Sequence, residues 1–446
     1  MAKAKAKGGK KPVKPVKPVK PVKPGKHPGQ GGQGGTIIPG STPVSGFQFE
    51  DPQLSPDDYS NFSSLDRMAD SSIRVNNPPL QPVPAVRKDP PVMSLDEVVP
   101  PERMAPYKDY IVFHSGGDSG GIREPSHQFL VADKMVEDFH ASELAPAFFL
   151  HLGDVVYYFG QDRYYYDQFY DPYRNYPAPI FAIPGNHDAV VYPGEQANSL
   201  EAFRKHFCSD QPMHVPESMG KARTTMVQPG VYFTLNAPFL KIIGLYSNTQ
   251  EGSGSGVISG GVVGQAQLQF LTDQLRQAGT DRKNGFEGAL IIAVHHPPFT
   301  GSEDHNPSPD MLDNIDQACK QAGVWPDAVL SGHAHLFERF TRYVNNMQVP
   351  FVVAGTAGYY NLSGFKKQPG GGPPPRPPLE SQDRSGNRLV LEHYLDQNYG
   401  FLRLTAGKDF LSCEFVGVTD SATPGQTLDR FTVDLATHQL TGFRKS

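Results

Sequence analysis

The sequence predicts an α/β layered domain. Short apolar runs alternate with segments of helical periodicity from Asp109 onward, and the runs end in loops rich in glycine and polar side chains. At 446 residues the chain also leaves room for a large core once its tails are set aside.

The segments before that domain differ in kind. Residues 1–35 are low-complexity, with KPV recurring from Lys11 to Pro24. Proline at every third position forbids helix and favours extended polyproline II, and the lysines repel one another, so a disordered tail is expected. The sharper alternative is a polycation that contacts a polyanion such as nucleic acid, polyphosphate or anionic lipid. Residues 36–106 form a Pro-rich N-terminal arm with short apolar stretches, expected to pack in parts on the main domain, residues 107–446.

Within that domain Tyr110 to His114 (YIVFH) is a short apolar run followed by glycines, a buried strand and its loop. Residues 126–143 carry Phe129, Leu130, Met135, Val136 and Phe139 at helical spacing. Ala147 to Leu152 is a strand, 162–170 is helical, and Ile180 to Ile183 is a strand. Residues 197–207 and 264–278 are helices, the second stopped by Gly279. Phe233 to Tyr246 is a hairpin turning at Asn236, Ala237 and Pro238. Ala289 to Val294, Ala328 to Leu330 and Pro350 to Ala354 are further strands. A Gly/Pro-rich loop insertion at about 364–378 precedes short strands within 399–434.

Composition narrows the function classes. Ten lysines and no acid occupy residues 1–26, which leaves 31 basic against 46 acidic residues, a body near −15. Such a body disfavours general nucleic-acid binding, and an anionic substrate then needs a local positive centre. Cys208, Cys319 and Cys413 are widely spaced and form no CxxC pair, so separate thiols in a reducing compartment are expected. The chain has no run of 18 apolar residues and its basic N-terminus is followed by no apolar segment. A cytoplasmic location without a membrane span is the expectation.

Five segments place Asp, Asn, His and Tyr directly after strands: Gly117-Asp118-Ser119-Gly120, Gly153-Asp154-Val155-Val156-Tyr157, Gly185-Asn186-His187-Asp188, His295-His296-Pro297-Pro298 and Gly332-His333-Ala334-His335. The loops beyond strand carboxyl ends are where open α/β sheets bind ligands. Taken singly, a Gly-Asp pair is a turn and His-His-Pro-Pro a rigid strand exit. Taken together, five metal-compatible loops in this order point to a metal centre.

In these blocks the sequence resembles the calcineurin-like metallophosphoesterase superfamily from about Asp109 to Leu404. The resemblance implies a layered β-sandwich flanked by helices, in four layers. Block one departs from the superfamily's Asp-x-His, since Asp118-Ser119-Gly120 lacks the histidine. Block two has GDxxY, and the paired change resembles the purple acid phosphatase branch, in which a tyrosinate replaces that histidine. Carried over residue by residue, one metal falls to Asp118, Asp154, Tyr157 and His335. The second falls to Asp154 as the bridge, Asn186, His295 and His333. Two carboxylates and a phenolate suit Fe(III); the imidazole-rich site suits Fe(II), Zn(II) or Mn(II). Tyr158 adjoins Tyr157, but the GDxxY spacing selects the latter.

The resemblance further makes His187 the catalytic histidine that steadies phosphate or protonates the leaving group, with a merely orienting role as the alternative. His296 is a candidate substrate contact. His114, His127, His151 and His305 fall outside the blocks and are read as ordinary polar or core histidines. The expected function is a dinuclear metal-dependent phosphoester hydrolase, an acid-phosphatase-like phosphomonoesterase using metal-bound hydroxide. A phosphodiesterase on nucleotide or lipid diesters, and a non-catalytic scaffold tethered to polyanions, are the alternatives.

Overall fold

The computed structural model describes residues 82–442, apart from 122–123, 158, 192–197, 248–255 and 369. The KPV tail, the arm up to residue 81 and Tyr158 lie outside the described residues.

Two sheets dominate. Numbered in chain order, the nine-stranded sheet runs β1 (Val92–Ser94), β5 (Phe233–Ala237), β6 (Leu240–Gly244), β7 (Ala289–Ala293), β8 (Ala328–Ser331), β10 (Met347–Ala354), β9 (Phe337–Val344), β12 (Arg388–Leu395) and β11 (Leu379–Gln382). The seven-stranded sheet runs β16 (Gln439–Thr441), β15 (Gln426–Asp434), β14 (Phe410–Val418), β13 (Tyr399–Gly407), β2 (Tyr110–Gly116), β3 (Phe149–His151) and β4 (Ile180–Ala182). Strands β2, β3 and β4 are parallel, as are β6, β7, β8 and β10. From the arm, β1 joins the nine-stranded sheet in parallel with β5.

Alternation along the strands explains the layering. On β7, Ala289, Ile291 and Ala293 enter a core shared with Phe113, Leu150 and Leu402 of the other sheet. Leu290 and Ile292 point the opposite way, into a core shared with helix residues. Each fully buried Ile or Leu contributes about 1.5–3 kcal/mol, which fixes the register, since a one-residue slip would exchange both faces.

The helices are α1 (Pro101–Met104), α2 (Ser126–Ala141), α3 (Asn186–Ala189), α4 (Glu201–Phe207), α5 (Ala266–Lys283) and α6 (Pro309–Ala322). Helix α2 packs on β13 and β14, while α5 packs on β6 and against α6. The two sheets with helices on their outer faces are the α/β architecture expected. None of the described helices is long and apolar enough to cross a membrane.

Strands β1, β9, β11 and β12 are not among those the sequence predicts, and three helical segments differ from expectation. Gly279 does not stop α5, which continues to Lys283; a Cβ at Gly279 would lie 2.7 Å from Val324 Cγ2, so close packing accounts for the glycine. The 162–170 segment is a 3-10 turn followed by a π-turn over Tyr166–Tyr170. That turn carries Gln168, whose side chain bonds both the N–H and the carbonyl of Tyr157 at 2.8 Å. Helix α6 was not predicted, although Pro309 opens it and left-handed Gly323 closes it. Cys208, Cys319 and Cys413 are buried free thiols, each with its pKa pushed up by burial.

Candidate metal centre

All five motif loops follow β2, β3, β4, β7 and β8, and a sixth follows β10. The loops are tied to one another: Asp118 N–H donates to Gly153 O (2.9 Å), Gly332 N–H to His295 O (3.0 Å) and Ala357 N–H to Gly117 O (3.1 Å). Asp118, Asp154 and His333 have left-handed backbones, with φ of 60°, 54° and 66°. Such conformations persist only where surrounding bonds enforce them, and they turn these side chains inward. Two glycines make room. A Cβ at Gly185 would strike the Asp154 carboxylate, and one at Gly332 would lie 2.5 Å from Asp118 Oδ2.

The predicted ligands gather in two clusters. In the first, Tyr157 Oη lies 3.2 Å from Asp118 Oδ1 and 3.4 Å from His335 Nε2, which itself is 3.5 Å from Asp118 Oδ1. Burial, then the carboxylates of Asp118 and Asp154, push the Tyr157 phenol well above its ordinary 10.0. The ring therefore keeps its proton unless a strong cation stands beside it.

In the second cluster, His295 Nε2 is 3.2 Å from Asp154 Oδ2 and 3.1 Å from Asn186 Oδ1. His333 Nδ1 is 3.1 Å from the same Asn186 oxygen. The clusters meet where His333 N–H donates to Asp118 Oδ2 at 2.8 Å. His295 Nδ1 lies 2.8 Å from the Leu152 carbonyl, which can only accept, so Nδ1 carries a proton. In the neutral ring the Nε2 lone pair then faces two acceptor oxygens. Only a cation or a second proton satisfies that arrangement, and the donor set of Asp154, His295 and His333 is compact enough for a metal ion. Burial pulls His295 down, but the Asp154 carboxylate outweighs it and lifts the imidazole to about 10. Burial likewise opposes the charge on Asp154, yet His295 and His187 keep its pKa low.

Around the clusters, His187 donates its N–H to Asp154 Oδ1 (2.9 Å), and its ring is centred 4.5 Å from that of Tyr157. Asp188 does not reach the open site. Its carboxylate accepts N–H bonds from Gly185 (2.8 Å), Val155 (3.1 Å) and Val156 (3.2 Å), locking two ligand loops together. His296 is anchored through Nδ1 to Ser247 Oγ (2.8 Å), its ring 4.3 Å from His333. Burial holds both His296 and His333 well below the usual histidine range, hence neutral.

Of the four histidines read as ordinary, three fit that description. His114 pairs with Asp138 (2.9 Å), His127 stacks on Tyr399 (4.1 Å), and His151 bonds Ser119 Oγ (2.7 Å). His305 does not. Its buried ring lies 4.7 Å from both His333 and His335, bridging the two clusters from one side. Its only signal in the sequence is its place in the loop that begins at His295. Tyr359, in the sixth loop, was also missed: it stacks on Tyr157 at 4.2 Å.

No curated protein matches the sequence. Among solved structures, the purple acid phosphatase PPD1 of yellow lupin is 16% identical with a TM-score of 0.47, the match covering 73% of this chain and 54% of that one. This chain thus spans about half the length of the lupin protein. GAP50 of Plasmodium is 14% identical (TM-score 0.46, covering 72% and 88%), and a dimetal phosphatase from Danio rerio is 11% identical (TM-score 0.42, covering 74% and 100%). Residues 117–337, just under half of the chain and spanning all five motif loops, match the model of the calcineurin-like phosphoesterase family.

Proposed function

We propose that this protein is a dinuclear metal-dependent phosphomonoesterase of the purple acid phosphatase kind. The observation that carries the reading is Tyr157 Oη placed 3.2 Å from Asp118 Oδ1 and 3.4 Å from His335 Nε2, where the block-one histidine is lacking. Asp118, Asp154, Tyr157 and His335 would hold Fe(III), and Asp154, Asn186, His295 and His333 would hold Fe(II), Zn(II) or Mn(II). When bound, the two ions supply Lewis-acid polarisation of the phosphoryl group and lower the pKa of water.

The remaining steps belong to the chain. His187, its backbone fixed to Asp154, steadies the phosphate and protonates the leaving oxygen. Neutral His296, held through Nδ1 by Ser247, offers Nε2 to the substrate. Near-complete burial of the ligands limits competing water.

The iron-loaded protein is expected to show a tyrosinate-to-iron visible absorption band that vanishes in Tyr157→Phe. A colourless, iron-free and fully active enzyme would sink the iron assignment. A paired monoester and diester panel tests the substrate class, and faster turnover of diesters would reject the monoester reading.

A further inference from the structure

We infer that Tyr359 is a positioning residue for the Tyr157 cluster: an aromatic wall that fixes the orientation of the Tyr157 ring and thereby the hold of the cluster on its metal ion. This rests on the reading of Tyr157 as a ligand, and it concerns a residue outside all five motif blocks.

Three contacts support it. The Tyr359 ring is stacked on Tyr157, with centroids 4.2 Å apart and planes 28° apart. The same ring lies 4.5 Å from that of His335, so it touches both ring-bearing members of the cluster. Its backbone N–H donates to the Asp118 carbonyl at 2.9 Å, adding the third member. The residue is 1% exposed, so the stack lies inside the protein.

Its placement is enforced from below. Gly358 has φ +139°, and a Cβ there would strike the backbone of Gln128, so the turn requires glycine. The preceding residues are fastened to the Asp118 loop, with Gly117 N–H on Ala354 O (2.9 Å) and Ala357 N–H on Gly117 O (3.1 Å). Tyr359 therefore moves with the loop that carries Asp118. A phenol has two soft torsions, and without the stack the Tyr157 ring could turn Oη away from Asp118. Offset-stacked aromatic pairs resist such rotation. Tyr157 is fully buried, so replacing the ring stacked on it changes the surroundings of the phenol.

The test compares wild type with Tyr359→Phe and Tyr359→Leu, each loaded with iron and zinc. Two quantities are read: the maximum of the tyrosinate-to-iron band, and the iron and zinc retained under a fixed chelator challenge. Tyr359→Phe keeps the stack and is expected to match wild type in both. Tyr359→Leu is expected to shift the band and to lose iron about tenfold faster, the lower end of what support around a metal ligand is worth. The second-cluster zinc is the internal control, since general loosening releases both ions and stack loss releases iron first. A wild-type band with wild-type iron retention in Tyr359→Leu, or equal release of both ions, overturns the inference. Failure of the Tyr157 reading looks different: wild type shows no band, or Tyr157→Phe keeps it. In that case the proteins are loaded with manganese alone, and unchanged retention of the first of two bound ions in Tyr359→Leu rejects the role of Tyr359.

Discussion

Among the described residues, two pairs of buried aspartates are neutralised differently. Beneath β9, Asp316 and Asp383 surround the guanidinium of Arg342, with Nη2 2.7 Å from Asp316 Oδ2 and Nε 2.7 Å from Asp383 Oδ2. Burial works against the charge of that arginine, but the two carboxylates outweigh it and raise its pKa further. At the strand carboxyl ends, Asp118 and Asp154 are just as deeply buried, yet their neighbours are a phenol, an amide oxygen and imidazoles. One pair has a permanent cation written into the polypeptide; the other has only the titratable His295, which carries a second proton when no metal ion stands between it and the oxygens of Asp154 and Asn186. Buried carboxylates that lack a permanent internal cation mark the place where an external one belongs. Glu338, four residues before Arg342, shows a third solution. Burial lifts its carboxyl to about 7 against the bonds from Thr300 and Gly301 and the charge of Lys366, so a proton does the neutralising.

The contrast can be broken at each of these places. Asp154→Asn is expected to lower phosphoester turnover more than about a thousandfold, equivalent to about 4 kcal/mol in the barrier. Its metal-free stability should fall less than that of Arg342→Met, because His295, unlike an arginine, can shed its second proton once Asp154 no longer pairs with it. Urea unfolding of the metal-free proteins checks this, and a large destabilisation would erase the distinction between the two sites. Arg342→Met should do the reverse. Leaving Asp316 and Asp383 unpaired costs about 3–5 kcal/mol of folding stability. Metal stoichiometry measured by elemental analysis should be unchanged in the folded fraction.

The smallest effect is expected at Glu338. Its folded pKa is raised, so the unfolded chain releases the proton first as pH rises. Its contribution is therefore intact below about 4.5 and is lost progressively up to about 7, with a span of about 3 kcal/mol at most. Glu338→Gln should flatten that part of the stability profile in denaturant titrations between pH 5 and 8. An unchanged slope would assign it to other groups.

Much of the candidate site was legible because its polar residues occur in short runs with glycines, immediately after strands. Asp118, Asp154 and His333 could be placed from those runs alone, whereas their left-handed backbones could not. Tyr359 and His305 were missed because each is an isolated ring in a loop, joined to the site only when β10 lies beside β8 and the chain after His296 folds back. Gly279 was misread because a glycine demanded by packing and one demanded by helix termination are written alike. Helix α6 had its signals in place, with Met311, Leu312, Ile315 and Cys319 on one buried face. The π-turn at Tyr166–Tyr170 had none, since the bonds of Gln168 to Tyr157 select it and those depend on tertiary contact.

The left-handed backbones at Asp118, Asp154 and His333 also restrict how this protein can vary. Among residues other than glycine, Asn, Asp and His enter that region several-fold more readily than the rest, and β-branched residues are nearly barred. The same three side chains are those that can bind metal there, so shape and chemistry filter substitutions in one direction. Exchange among aspartate, asparagine and histidine would keep the loop and change the metal. Nearly every other replacement would first have to remake the turn. The centre is thus free to drift in metal preference while its loops stay fixed.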